Sequence, residues 1–243
     1  MKNPPSLLFN NEYRINDLIS IHVPTIGEIY EYGEMEYYNI CQLLTSMPYD
    51  LMVQLDDVGI DYEDVSEYEL FLILLESFIF EGVDISIVLK IDDIQNLTEG
   101  INEHTGERVL LNKDNRVVID RLIQLDITEG IRKIHFWEKN EHKAGNQEAK
   151  DYILQRRRTK LLRAKNKKKP SFLDESIIKM VNTEDFKYDY ESVLNLSIYK
   201  LNASMRQIPK KRDWDNLMHG AYAGTVDMDK INVEKAHWLS NIT

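Results

Sequence analysis

A chain of 243 residues with 43% hydrophobic and 9% aromatic content has enough apolar material for one large domain or two small ones, which excludes global disorder. The net charge of −11 hides an asymmetry: residues 1–100 hold 20 Asp and Glu against only Lys2, Arg14 and Lys90, a balance of −17, whereas Gln155 to Lys169 holds nine Lys and Arg and no acid. One cysteine excludes an intrachain disulfide, and no apolar run reaches the length of a signal-peptide core or a membrane span, so a reducing, cytoplasmic setting without membrane contact is expected.

Between Leu7 and Val23 the loose alternation of Tyr13, Ile15, Ile19, Ile21 and Val23 predicts one or two short strands ending at Pro24. Thr25 and Glu28 have capping-box spacing, and Ile26, Ile29, Tyr30, Gly33, Tyr37, Ile40 and Leu44 recur at helical steps, so a helix is predicted to about Ser46. Pro48 is placed to open a shorter helix through Leu51, Met52 and Leu55, closed at Gly59. A second capping box, Ser66 with Glu69, leads into Leu70 to Phe80, a segment apolar on nearly all sides and read as the centre of the N-terminal core.

A β-rich insert is predicted next. Ile85, Ile87, Leu89 and Ile91 alternate with Ser86, Val88 and Lys90, and Thr105-Gly106 separates two halves of a hairpin. From Val117 the helical period returns through Ile119, Leu122, Ile123, Ile127, Ile131 and Ile134, with Gly130 costing about 1 kcal/mol relative to Ala. Residues 147–168 read as a long exposed basic helix with a thin stripe of Ala149, Ile153, Leu161 and Ala164, ended at Lys169-Pro170. Ser171 then starts a helix from Phe172 to Val181. Val193, Leu194, Ser197, Ile198, Leu201, Met205 and Ile208 share one helical face, and Asp213 is expected to cap a separate short helix stopped by Gly224.

These elements make the fold mainly α with a small β part (α+β): a helical-bundle-like core, a β-hairpin insert and a long basic helix. The expected division is an acidic helical domain over 1–82, the β-rich insert over 83–116, and a helical region over 117–243 that contains the basic helix.

Catalysis at neutral pH needs a nucleophile with a base, a paired acid and base, or a metal cluster. The six histidines (His22, His104, His135, His142, His219, His237) lack HxH, HExxH or a cysteine partner, and no phosphate-binding glycine loop or GxSxG occurs. No enzyme activity, cofactor or metal is therefore expected. Asp56, Asp57, Asp61, Glu63 and Asp64 have the donor chemistry for a hard cation but lack the spacing of an EF-hand loop, and they read as solvated surface. Glu28, Glu31, Glu34 and Glu36 read likewise, as the exposed face of the first helix. Cys41, among Ile40, Leu43 and Leu44, reads as a small buried hydrophobe.

Binding is the more informative chemistry. Arg156, Arg157, Arg158, Lys160, Arg163, Lys165, Lys167, Lys168 and Lys169 form a surface for a partner. Without an aromatic residue between 155 and 169 to stack on bases, a protein partner is favoured over nucleic acid. Attraction between the acidic half and this basic stretch, within one chain or between copies, is a further expectation. Trp214 is read as core from its phase with Leu217 and Met218; Trp238 and Tyr222 are candidates for a partner anchor.

The phrases Ile21-His22-Val23-Pro24-Thr25-Ile26-Gly27-Glu28-Ile29, Tyr37-Tyr38, Gln54-Leu55 and Leu217-Met218-His219-Gly220-Ala221-Tyr222-Ala223-Gly224-Thr225-Val226-Asp227 resemble proteins of phages and prophages of Gram-positive bacteria, and within them the tail-assembly chaperones. The resemblance covers about the first 80 and last 60 residues. It implies a non-catalytic protein of the infected host's cytoplasm that binds the tape-measure protein, keeps it soluble and recruits tail-tube subunits. No individual contact residue carries over. Two alternatives stand beside it: a structural virion subunit (connector, baseplate or capsid-associated), and a nucleic-acid-binding phage protein that uses the basic helix.

Overall fold

A computed structural model describes residues 6–112, 117–140, 145–165 and 170–240. The architecture is α+β and mainly helical, with two small antiparallel sheets of three strands each. β1 (Glu12–Arg14), β2 (Ile19–His22) and β3 (Leu89–Ile91) form the first sheet, and β4 (Thr98–Ile101), β5 (Arg108–Asn112) and β6 (Val117–Ile119) the second. The predicted hairpin is present, with Ile101 opposite Arg108.

Both capping boxes form. Thr25 and Glu28 close the start of α1 (Ile26–Tyr32), and Ser66 with Glu69 does the same for α4 (Glu67–Glu81), each side chain satisfying an amide that the first helical turn leaves free. The helix predicted from 26 to 46 is instead two. Gly33, at φ 113°, takes a conformation closed to residues with a Cβ and turns the chain from α1 into α2 (Glu34–Leu44). Pro48 likewise does not open a helix: residues 47–51 form turns, and α3 (Met52–Asp57) begins later.

Three further expectations are corrected. The amides of Val88 and Leu89 both donate to the Ile85 carbonyl, so 85–88 is a turn that buries Ile85 and Val88 together and leaves only Leu89–Ile91 extended. That strand belongs to the first sheet, against β2, and not to the hairpin. Val117–Ile119 is strand β6, with alternating burial, and Asp120 caps α5 (Arg121–His135) by accepting from the Ile123 amide at 2.9 Å. The C-terminal segment is one helix, α8 (Ile198–Tyr222), that carries Pro209 inside it; Val193 and Leu194 lie in a preceding 3-10 turn, and Asp213 caps nothing. Pro209 removes one backbone bond, a loss the exposed outer half of a surface helix tolerates.

The main core joins both sheets with α1, α2, α4, α5, α7 (Phe172–Val181) and the start of α8, from Leu7 through Ile19, Ile21, Leu72, Ile119 and Ile131 to Leu173, Val193 and Leu201. α5 lies close against the first sheet because Gly130 has no side chain: a Cβ there would collide with Ile21 Cδ1 and approach the Tyr13 ring to 2.9 Å. The helix cost of that glycine is thus exchanged for helix-to-sheet contact. Tyr68 ties α4 to the second sheet, its hydroxyl donating to the carbonyls of Arg108 (2.6 Å) and Ile119 (3.2 Å). Cys41 is buried, and burial pushes its thiol pKa far up. A smaller cluster of Met52, Val53, Leu55, Tyr62 and Leu70 lies beside the main core. A third helix surface covers it, and that surface belongs to the basic helix.

Candidate interaction surface

The basic helix, α6 (Gln147–Lys165), is built from strong helix formers and opened by Asn146, whose side chain accepts from the Ala149 amide at 2.8 Å. At 100° per residue, Lys150, Ile153, Leu154, Arg157 and Arg158 fall on one side and Tyr152, Gln155, Arg156, Thr159, Lys160 and Arg163 on the other. The structure uses the two sides differently.

The inner side packs on the body. Ile153 and Leu154 lie on the small cluster, and the charges around them are paired. Lys150 donates to Asp61 (2.5 Å) and Glu63 (2.8 Å) and stands 4.7 Å from the Tyr62 ring centre. Burial alone would lower the Lys150 pKa; the hydrogen bonds to the two carboxylates outweigh it and hold the ammonium firmly charged. The Asp61 pKa is lowered by the Glu63 amide and then by Lys150. Arg157 donates to the Tyr49 carbonyl at 2.5 Å and stacks 4.1 Å over the Tyr49 ring, while Arg158 pairs with Asp56 and Asp57. The end of α3 and the loop after it are therefore a counter-charge for α6, with Asp56, Asp57, Asp61 and Glu63 all engaged. Among the described residues no group of His, Cys, Asp and Glu is arranged to hold a metal ion.

The outer side is open. Arg156, Lys160 and Arg163 are exposed and make no hydrogen bond or ion pair among the described residues, and with Tyr152, Gln155, Thr159 and Ala164 they line an open depression of about 700 Å³. The helix is described as far as the backbone of Lys165; Lys167, Lys168 and Lys169 lie outside the described residues. No aromatic residue lies between 155 and 169, yet Tyr152, 66% exposed and one turn earlier, shares this face.

A second feature was not legible in the sequence. Met35, Tyr38, Asn39 and Gln42 line one side of a groove of about 350 Å³, with Trp137, Pro170 and Phe172 from elsewhere in the chain. Glu34 fastens the start of α7 (Phe172–Val181) beside α2, accepting from Ser171 Oγ (2.5 Å) and the Leu173 amide (2.9 Å). The Tyr38 ring meets Phe172 edge-on at 5.8 Å, and Trp137 stacks on His135 at 4.4 Å. Met35 and Phe172 are each about half exposed at the rim. His135 is sealed behind them, its Nε2 3.0 Å from the Tyr37 hydroxyl, and burial lowers its pKa to about 3.

At the C-terminal end Trp214 and Trp238 are half-buried, on either side of His237. The Trp238 carbonyl accepts from Gln207 Nε2 at 2.8 Å, and that of Ser240 from Lys210 Nζ at 2.7 Å, so this segment returns along α8. Tyr222 is 82% exposed.

Residues 165–243 match the family model of the YomV second domain. That family is phage-derived, so the last third of the chain, including α7, α8 and one side of the aromatic groove, is similar to a phage-associated domain. No curated protein and no solved structure matches the chain. No described helix is long and apolar enough to cross a membrane.

Proposed function

We propose that this is a non-catalytic phage protein that holds a structural partner during virion assembly, in the manner of a tail-assembly chaperone. The observation that carries the reading is the aromatic groove between α2 and α7. Its α2 side chains follow i, i+3, i+4, i+7 spacing, and Met35 and Phe172 present a pliable apolar rim of the kind that accepts an amphipathic helix. A tape-measure protein, long and helical, offers such helices along its length. One side of the groove comes from the segment that is similar to a phage-derived domain. A binding role also agrees with the state of the reactive side chains: Cys41 and His135 are buried, and Asp56, Asp57, Asp61 and Glu63 are engaged by α6.

Co-expression with the tape-measure protein of the same phage is the direct test. The chain should raise the soluble fraction of that protein, and Met35→Glu with Phe172→Glu should abolish the effect without lowering the chain's own yield. An unchanged soluble fraction refutes the chaperone role. Mass spectrometry of purified particles adds a second readout, since a chaperone is absent from virions and a structural subunit is retained.

A further inference from the structure

We infer that the outer face of α6 is a nucleic-acid contact surface, formed by Tyr152, Gln155, Arg156, Thr159, Lys160 and Arg163 and separate from the aromatic groove. The inner side of the same helix shows what its cations do when a protein partner is available. Lys150 and Arg158 take carboxylates, Arg157 takes backbone carbonyls and a tyrosine ring, and Ile153 and Leu154 anchor the contact with apolar area. The outer side has only Leu162, 65% exposed, at the margin of its stripe. Its positions 152, 156, 159, 160 and 163, the places where a helix docking on protein carries its apolar anchors, hold one tyrosine, a threonine and three unpaired cations.

Such a face matches a phosphate backbone. From Tyr152 to Arg163 the stripe runs about 16 Å along the helix axis, with cations separated by about 5–6 Å, so that more than one phosphate falls within reach. Arg156 and Arg163 offer planar forks for phosphate oxygens, and Gln155 and Thr159 add hydrogen-bonding groups beside them. Tyr152, two-thirds exposed at the end of the stripe, supplies the ring on which an unpaired base stacks. No acidic residue interrupts the run from Gln155 to Lys169; the exposed Glu148 and Asp151 precede the first of these cations. The packed inner side holds the helix in place, so the cations are presented on a fixed rod and the ordering cost at binding is small.

The test uses the full chain and fluorescence anisotropy with a labelled oligonucleotide, single-stranded and as its duplex, over a range of salt. Binding should fall steeply with salt, and the triple variant Arg156→Gln, Lys160→Gln, Arg163→Gln should lower affinity by about tenfold or more and flatten the log–log salt slope by about 2–3. Lys179→Gln, on an exposed cation of α7, should change neither. Tyr152→Ala separates the two forms of nucleic acid: a loss confined to the single strand assigns the ring to base stacking, and equal small effects on both leave the contact as backbone binding. Absence of binding at low salt, binding unchanged in a triple variant with an unchanged circular dichroism spectrum, or equal affinity for polyglutamate would each overturn the inference. The co-expression assay reads the groove and is independent of these outcomes.

Discussion

His135 makes stability at mild acidity a measure of how tightly the α2, α5 and α7 junction is closed. In the folded chain the ring resists protonation down to about pH 3, because burial removes the water that would solvate the imidazolium, whereas the unfolded chain binds the proton near its ordinary value of 6.5. A depressed histidine thus makes the unfolded state the better proton acceptor throughout the interval between those values. Stability must therefore decline as pH falls below 6.5, by about 1.4 kcal/mol per unit, which amounts to about 3 kcal/mol at pH 4.5. Carboxylates with lowered pKa, such as Glu69 and Asp84, also lose stability in acid, so the histidine is isolated by difference. Urea unfolding of the natural chain and of His135→Gln, each at neutral pH and at pH 4.5, should show the natural chain losing about 3 kcal/mol more than the variant. Equal losses would mean that His135 titrates normally and that the aromatic layer over it is open to water.

Gly130→Ala should lower stability by about 1 kcal/mol, although helix propensity alone would raise it by that amount, because crowding against Ile21 and the Tyr13 ring costs about 1–3 kcal/mol. A rise in the urea midpoint would show that α5 has room to move off the sheet. Arg132 is buried and donates to the Thr45 carbonyl (2.7 Å) and to Glu67 (3.0 Å), so Arg132→Met should cost about 3 kcal/mol in the same assay. Glu67 keeps its contact to Lys139 at 2.7 Å in that variant, so the loss reads the Arg132 contacts, and a loss below about 1 kcal/mol would contradict them. Lys150→Ala removes the contacts to Asp61 and Glu63, and limited trypsin digestion should then cut at Arg157 and Arg158 several-fold faster; an unchanged cleavage rate would show that Ile153 and Leu154 hold α6 alone.

Local chemistry was the legible part of the sequence. Thr25 with Glu28 and Ser66 with Glu69 announce helix starts because a capping box is complete within four residues. What depends on distant neighbours was not legible. Nothing near Gly33 marks it as a break between helices, and Val117 and Ile119 fall in step with the apolar period of the helix after them, while their strand pairing depends on β5. For the candidate surface, the contrast between acidic residues and a basic run was visible as composition. Which cations are used internally follows from helical phase relative to Met52 and Leu55, two residues about a hundred positions earlier. The aromatic groove joins positions 35–42, 137 and 170–172, a juxtaposition that exists only after folding.

The extended bridge between Thr25 and Ser197 sets a schedule for synthesis. The Ile26 amide bonds to the Leu196 carbonyl and the Ile198 amide to the Pro24 carbonyl, both at 2.9 Å, so the start of α1 is completed by residues translated about 170 positions later. At bacterial elongation rates that gap is roughly ten to thirty seconds. During it Ile26 and Ile29, fully buried in the finished core, wait without their C-terminal cover. For that interval the apolar face of α1 stays open to whatever apolar surface meets it first, which puts the aggregation risk of this fold early in its synthesis.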